Sequence, residues 1–313
     1  MEILKIKDLT EGNSTIYLLV KEISQKIART GRSYLTVMLT DGKDSIAANM
    51  WDITAERFPA TVGEVVFITL RAAPYNGKMS YTIESARGLV YSDPVQKADF
   101  IKSAPMPAEE LFDKCLELIS RYVADADFKK IGETVFKENR EALLHSAAAK
   151  SVHHSGVGEL LWHVYRMALT APRVADVYKL NKDLLVTGAL LHDIGKLREL
   201  DTDEMGITNY TVDGNLFGHL LIGAEMIEEY GRRCGTPENK IRALKHIIVS
   251  HHGTREFGAI QLPATPEAYA VYMLDTLDSR MYIYSSELEK IKPGDMSEKV
   301  FFLDGTSIWN SGL

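Results

Sequence analysis

The feature that most constrains this chain is an apolar segment that carries an imidazole and a carboxylate side by side. It is His192-Asp193, within Ala189-Leu190-Leu191-His192-Asp193-Ile194-Gly195-Lys196-Leu197. The residues leading into it, among them Leu184, Leu185, Val186, Leu190 and Leu191, read as a helix buried on all sides. A carboxylate delivered into such surroundings is costly unless it is paired or bound to a metal, so the fold must bring partners to it. Histidines and an acid stand ready elsewhere: His163, His219, the pair His251-His252 and Asp275. Imidazole and carboxylate are the donors that hold Zn, Mn, Fe and similar divalent ions at neutral pH.

Each candidate sits on its own helical stretch. His163 lies among Leu160, Leu161, Val164 and Met167, and His219 follows Gly218 at a helix start. His251-His252-Gly253 ends a helix, and Asp275 is embedded in Tyr272-Met273-Leu274-Asp275-Thr276-Leu277-Asp278. The set is therefore a metal site assembled from several helices. His252 and Glu159, one turn before His163, are subsidiary ligand candidates; His145 and His246 read as structural or surface residues.

The chain of 313 residues is long enough for about two domains. It has no apolar run near the ~18–20 residues of a membrane span and no basic-then-apolar leader at its start, and no membrane association is expected. Its two cysteines, Cys115 and Cys234, are far apart and form no motif, which fits a reducing cytoplasm. The net charge of −7 argues against bulk attraction to duplex nucleic acid. Residues 1–95 carry 11 basic and 11 acidic residues, so the whole excess lies in the rest and any nucleic-acid contact must be local.

The texture changes near residue 95. Before it, strand-like runs over 14–20, 34–40, 45–51, 64–72 and 79–86 alternate with turn signals at Asp41-Gly42 and Asn76-Gly77. About five short strands in under a hundred residues, with a helical piece near 55–58, predict a small Greek-key barrel of the OB type. Asp93-Pro94 and Ala104-Pro105-Met106-Pro107 mark a linker. Helical periodicity then covers 108–122, 126–148, 158–179, 182–198, 218–232, 237–250 and 265–290. The predicted class is α+β multidomain. An OB-like domain spans 1–95, a linker and leading helix 96–125, an all-α domain 126–290, and a docking tail 291–313.

The order His, His-Asp, His, His-His-Gly, Asp resembles the HD-domain metal-dependent phosphohydrolases. Together with the neutral OB-like front end and the Pro-containing linker, it resembles the YhaM-type 3′-to-5′ exoribonucleases over nearly the whole chain. The stretches 147–154, Gly158 to His163 and Phe301-Phe302-Leu303-Asp304 add to the likeness. The chain departs from the family where Glu159 and Trp162 replace a more glycine-rich entry with an acid beside the histidine; this bears on local substrate contacts, not on the metal ligands.

The resemblance implies a metal site in which His163, His192, Asp193 and Asp275 hold one ion. His219 and His251 help hold a second, bridged by Asp193. It implies hydrolysis of phosphodiester bonds from the 3′ end of single-stranded RNA, with single-stranded DNA a further substrate, by a metal-activated water. Two ions about 3.5–4 Å apart are the usual arrangement for that chemistry. Manganese is the first candidate, with Fe, Co, Zn and Mg as others. Asp193 and Lys196 are expected to act in the reaction, Lys196 as a point charge on a phosphate oxygen; the bland alternative is a lysine paired with Glu199 or Glu204.

Substrate contacts are expected from His153, His154 and Arg280. In the barrel, Tyr34, Trp51 and Tyr81 would stack on bases, with Arg32 and Arg71 on phosphates. Packing of these aromatics in the barrel core is the competing role. Two other functions share the same residues: an HD phosphohydrolase acting on nucleotides or cyclic dinucleotides, and a non-catalytic single-strand-binding protein. Exposed helical surface and the docking tail are compatible with a homo-oligomer.

Overall fold

The computed structural model describes residues 4–28, 31–101, 103–146, 157–203 and 208–313. The chain divides into two compact units between Lys102 and Ser103. The first is a closed barrel. Its strands are β1 (Gly12–Ile27), β2 (Ser33–Thr40), β3 (Ser45–Trp51), β4 (Val65–Tyr75) and β5 (Lys78–Gly88). They pair in the order β1-β2-β3-β5-β4, with β4 returning to β1. Antiparallel pairing prevails, and only β3 and β5 run parallel. This is the five-stranded Greek-key barrel of the OB class.

Alternation builds it. Ile16, Leu18 and Val20 of β1, Leu35, Val37 and Leu39 of β2, and Val66, Ile68 and Leu70 of β4 all point inward and are buried. β1 serves two neighbours, pairing β4 with its first half and β2 with its second. A bulge between Val20 and Glu22 bends it between them and shifts the inward set to Ile23. Asn76 and Gly77, both at positive φ, make the tight turn between β4 and β5. At the other predicted turn Asp41 is buried. Its carboxylate accepts from the backbone N–H of Ile6 at 2.7 Å, Lys43 at 2.9 Å and Asp44 at 2.8 Å.

The second unit is helical. α1 (Ala108–Tyr122), α2 (Ala126–Glu138), α3 (Arg140–His145) and α4 (Glu159–Tyr178) lead to α5 (Lys182–Leu191). After them come the single turn α6 (Lys196–Glu199) and a small hairpin of β6 (Leu200–Thr202) and β7 (Thr208–Tyr210). Then follow α7 (Val212–Cys234), α8 (Glu238–Ser250), α9 (Pro266–Leu288) and a terminal hairpin of β8 (Met296–Val300) and β9 (Thr306–Trp309). α5 is the axis of the unit. Leu184 through Leu191 are all buried, and α1, α2, α4, α8 and α9 pack around it. Side-chain caps set several helix starts: Asp125 on α2, Asn181 on α5, Thr211 on α7 and Thr265 on α9.

Three helices differ by more than two residues from the ranges the periodicity predicts. The helix over 126–148 breaks at Asn139, whose side chain donates to Val135 O and to Tyr230 Oη and so diverts the chain into α3. The helix over 182–198 stops at Leu191, and residues 192–195 form a tight turn. The helix over 218–232 starts earlier, at Val212, but is kinked at Gly218, whose φ of 68° and ψ of 160° are not helical. The leading helix α1 buries Leu111, Phe112, Cys115, Leu118 and Ile119 in the common core and is an integral part of the helical unit. No helix among the described residues is long and apolar enough to cross a membrane.

Replacing Asp41 by alanine removes the acceptor for three backbone donors. We expect it to cost about 1–3 kcal/mol of barrel stability, read as a lower urea midpoint; Asp44→Ala, whose carboxylate is not part of that turn, should cost less.

Candidate metal centre

The turn after α5 projects His192 and Asp193 to the same place where α4 brings His163, α7 brings His219, the end of α8 brings His251 and His252, and α9 brings Asp275. Three overlapping groups have donor atoms within 4.8 Å of one another: His163, His192 and Asp275; His219, His251 and His252; and His192, Asp193 and His251. Asp193 lies between the first two. Its Oδ2 is 3.3 Å from His192 Nε2 and 3.8 Å from His163 Nε2. Its Oδ1 is 3.5 Å from His251 Nε2 and 3.6 Å from His219 Nε2. His163 Nε2 is also 3.3 Å from Asp275 Oδ1.

What aims the rings is on their far sides. His192 Nδ1 donates to Ala189 O at 2.9 Å, and His251 Nδ1 donates to Ile248 O at 2.8 Å. A carbonyl can only accept, so these bonds fix the Nδ1–H tautomer and leave each Nε2 with its lone pair inward. His163 Nδ1 lies 2.7 Å from Asp278 Oδ2, which also accepts from Arg166 at 2.7 Å. His219 Nδ1 and its backbone N–H both donate to Glu199 Oε1 at 3.0 Å. Orientation of a ligand imidazole by a carboxylate or carbonyl is the arrangement metal sites use.

Two glycines make the approach possible. A Cβ on Gly195 would stand 2.0 Å from His219 O, and one on Gly253, at φ +74°, 2.2 Å from the Tyr272 ring. Any side chain at Gly195 would push α7, and His219 with it, away from Asp193. The kink at Gly218 starts a new helical segment at His219, and Glu199 occupies the capping position on its N–H.

The electrostatics match a cation. Asp193 is buried, yet Lys196 Nζ at 2.7 Å and the surrounding imidazoles hold its carboxyl well below the usual range against the burial. Burial pushes His251 down to about 3, so it stays neutral. For His163 burial opposes the charge, but Asp275 and Asp278 outweigh it and raise the ring to about 9. A proton on His163 thus stands where a cation would. Among the described residues, Asp193 Oδ1 and His252 Nδ1 are buried side-chain atoms that make no hydrogen bond. Inward lone pairs, an ionised bridging carboxylate and an orphaned buried oxygen fit a divalent cation at either group.

An HD domain model matches residues 160–280. The 3′-5′ exoribonuclease YhaM of Geobacillus sp. (strain WCH70) is 32% identical over 94% of this chain and 90% of its own. The protein of the same name from Bacillus subtilis (strain 168) is 31% identical over 94% and 93%. That of Listeria monocytogenes serotype 4b (strain CLIP80459) is 31% identical over 98% of each chain. This chain belongs to the YhaM family. A solved OB-fold domain of replication protein A from Methanococcus maripaludis aligns at 15% identity with 30% of this chain and 98% of its own, with a TM-score of 0.24; the class of the barrel follows from its own strand order.

In this YhaM family member the structure brings together His163, His192, Asp193, His219, His251 and Asp275, and His252 with them, its Nε2 3.1 Å from His219 Nε2. Glu159 is buried at the start of α4 but does not belong to any of the converging groups. Lys196 does not follow His192 on a continuous helix face. The turn at 192–195 intervenes, and its ammonium pairs with Asp193. His153 and His154 lie outside the described residues. Arg280 is about 140° around α9 from Asp275 and pairs at the surface with Asp304 at 2.9 Å, which places it away from the cluster.

In the barrel, Tyr34 and Trp51 face each other across β2 and β3 with ring centroids 4.7 Å apart, and Trp51 is half exposed. Tyr81 instead shares the inward face of β5 with Ile83 and packs on the barrel core, which removes it from the stacking surface. Arg32 and Arg71 are exposed and pair with Asp52 and Glu84.

The part that Glu199 and Asp278 play in orienting His219 and His163 escaped the sequence reading. The available signal was spacing: Asp278 is one turn after Asp275 on the same helix face, and Glu199 is the nearest acid after the His-Asp turn. Arg166, one turn after His163, was missed for the same reason.

Glu199→Gln and Asp278→Asn should each lower divalent-metal affinity by about 10–100-fold, measured by equilibrium dialysis. Because the ion must displace the proton held by His163, affinity should rise with pH, by about tenfold per unit between pH 6 and 8, measured by chelator competition. Affinity independent of pH across that window would contradict the assignment of His163 as a ligand.

Proposed function

We propose that this chain is a metal-dependent hydrolase that shortens single-stranded RNA from its 3′ end, with single-stranded DNA a further substrate. The observation that carries this is the Asp193 carboxylate, with one oxygen toward His163 and His192 and the other toward His219 and His251, in a chain whose relatives are named 3′-5′ exoribonucleases. In this proposal His163, His192, Asp193 and Asp275 hold one ion and His219, His251 and His252 with Asp193 hold a second. Two such ions, when bound, supply Lewis acidity to the phosphate and a water ready for in-line attack. Manganese is the first candidate; the donor set mixes two carboxylates with imidazoles and admits Mn, Fe, Co or Zn alike.

The protein's own part is positioning and charge. Asp278, Glu199 and the carbonyls of Ala189 and Ile248 hold the rings at fixed angles, so little reorganisation accompanies substrate entry. Lys196, 17% exposed at its side chain, sits at the edge of the cluster with its ammonium on Asp193. It is placed to pass a hydrogen bond to a non-bridging phosphate oxygen and to offset charge as the phosphorus becomes five-coordinate. Burial of the cluster walls keeps bulk water from competing. In this reading the barrel supplies the strand-binding surface: the stacked Tyr34–Trp51 pair offers a π-face, and Arg32 and Arg71 exchange their exposed surface pairs with Asp52 and Glu84 for phosphates. His153 and His154 are further substrate contacts in this scheme. Two free, buried cysteines suit a reducing cytoplasm as the place of action.

The test is a 5′-labelled single-stranded RNA incubated with Mn²⁺ or EDTA, beside Asp193→Ala. We expect a Mn²⁺-dependent ladder shortening from the 3′ end that the variant loses. Intact RNA with fully metallated protein, together with turnover of mononucleotides or cyclic dinucleotides, would replace the exonuclease with a nucleotide hydrolase. Trp51→Ala should weaken RNA binding by about 1–3 kcal/mol in fluorescence anisotropy, and Tyr81→Ala should lower barrel stability instead.

A further inference from the structure

α9 is apolar on both sides. One side carries Ala268, Val271 and Leu274 into the core and presents Asp275 and Asp278 to the metal cluster. The other carries Tyr269, Met273, Leu277 and Met281, each between 45% and 55% exposed. Leu277 follows Asp275 by two residues, about 200° around the helix, so this row faces away from the cluster. The terminal hairpin extends the row. Leu303 and Ile308 are buried, its strand β9 and the turn at 301–303 contact α9, and Arg280 clips it there through Asp304. Phe301 and Trp309 remain open beside the helix, at 85% and 61% exposure.

The geometry points to a second copy of this chain as the occupant of this surface. Three properties select it. First, the four helical residues recur every fourth position and form a single i±4 ridge, and two such ridges interdigitate when identical helices cross at about −50°. Second, Leu277 is the middle residue of the 23 in α9. A two-fold axis through it sets the ridge on itself, which is what an isologous contact requires. The hairpins then wall the wedge left by the crossing helices, with Phe301 and Trp309 closing on the partner.

Third, the chemistry and the area are those of an interface. The row is aromatic, Met and Leu, and Arg280 beside it is already paired with Asp304. That composition suits a desolvated interface core and is wrong for nucleic acid, which needs cations. The six side chains expose on the order of 700 Å², near the ~800 Å² that each partner gives a standard interface and above the ~300–600 Å² of an ordinary monomer's largest patch. This inference concerns the helical unit alone and stands or falls apart from the exonuclease proposal.

Full-length protein should sediment at about twice the 35.0 kDa of one chain at micromolar concentration. Leu277→Glu should return it to one chain with its thermal midpoint kept. Val177→Glu, an equally apolar and exposed position on α4, should leave the mass unchanged. Leu277→Cys should form a disulfide-linked dimer on mild oxidation, because the axis brings the two thiols together, and Val177→Cys should not; the native cysteines are buried. A larger assembly that Leu277→Glu halves also supports the contact. A monomeric wild type, or an oligomer whose mass Leu277→Glu leaves unchanged, overturns it. So does failure of Leu277→Cys to cross-link while the protein remains oligomeric.

Discussion

One buried carboxylate organises the helical unit. Asp193 is ionised in a place that excludes water, and among the described residues its compensation comes from the Lys196 ammonium and a ring of imidazoles at 3.3–3.8 Å. Leaving such a group half-satisfied is expensive. The surrounding architecture answers that cost from every side: α7 bends at Gly218 and α8 ends at Ser250 where each can present an imidazole to it, while α4 and α9 supply His163 and Asp275 from within the helix. The glycines at 195 and 253 belong to the same solution, since a Cβ at either would collide with His219 or with Tyr272.

The rings themselves are held from behind. Two lean on carbonyls one turn back along their own chain, and two lean on carboxylates brought from elsewhere. The first kind is local: a histidine at the end of a helix finds the carbonyl three residues earlier without help from the tertiary fold. The second kind is not. Asp278 reaches His163 across 115 residues, and Glu199 reaches His219 across 20. The centre therefore mixes local anchors with long-range ones, and the long-range anchors tie α9 to α4 and α6 to α7.

That distinction explains how much was legible in the sequence. The barrel could be read because its strands alternate cleanly and its turns at Asp41-Gly42 and Asn76-Gly77 are local. The convergence of these residues could be read because acids and imidazoles inside apolar helices demand an explanation. The orienting carboxylates could not, since an acid that reaches a ring on another element leaves no trace in periodicity. Helix ends failed for a related reason. The stop after Leu191 and the break at Asn139 are made by tertiary hydrogen bonds and by the approach of α7 to Gly195. In the barrel, inward or outward direction at a strand end is set by closure of the barrel, so Tyr81 and Trp51 looked alike and proved opposite.

The donors of the centre come from five separate stretches of the helical unit, and none of them lines up unless all are folded. A divalent ion bound there would hold only the folded chain, so its binding energy would add directly to stability, by about 2.7 kcal/mol at a hundredfold excess over Kd. The folded fraction, and with it resistance to cellular proteases, then tracks the free ion concentration. By that coupling a cell short of the metal would hold fewer folded copies of this protein as well as idle ones.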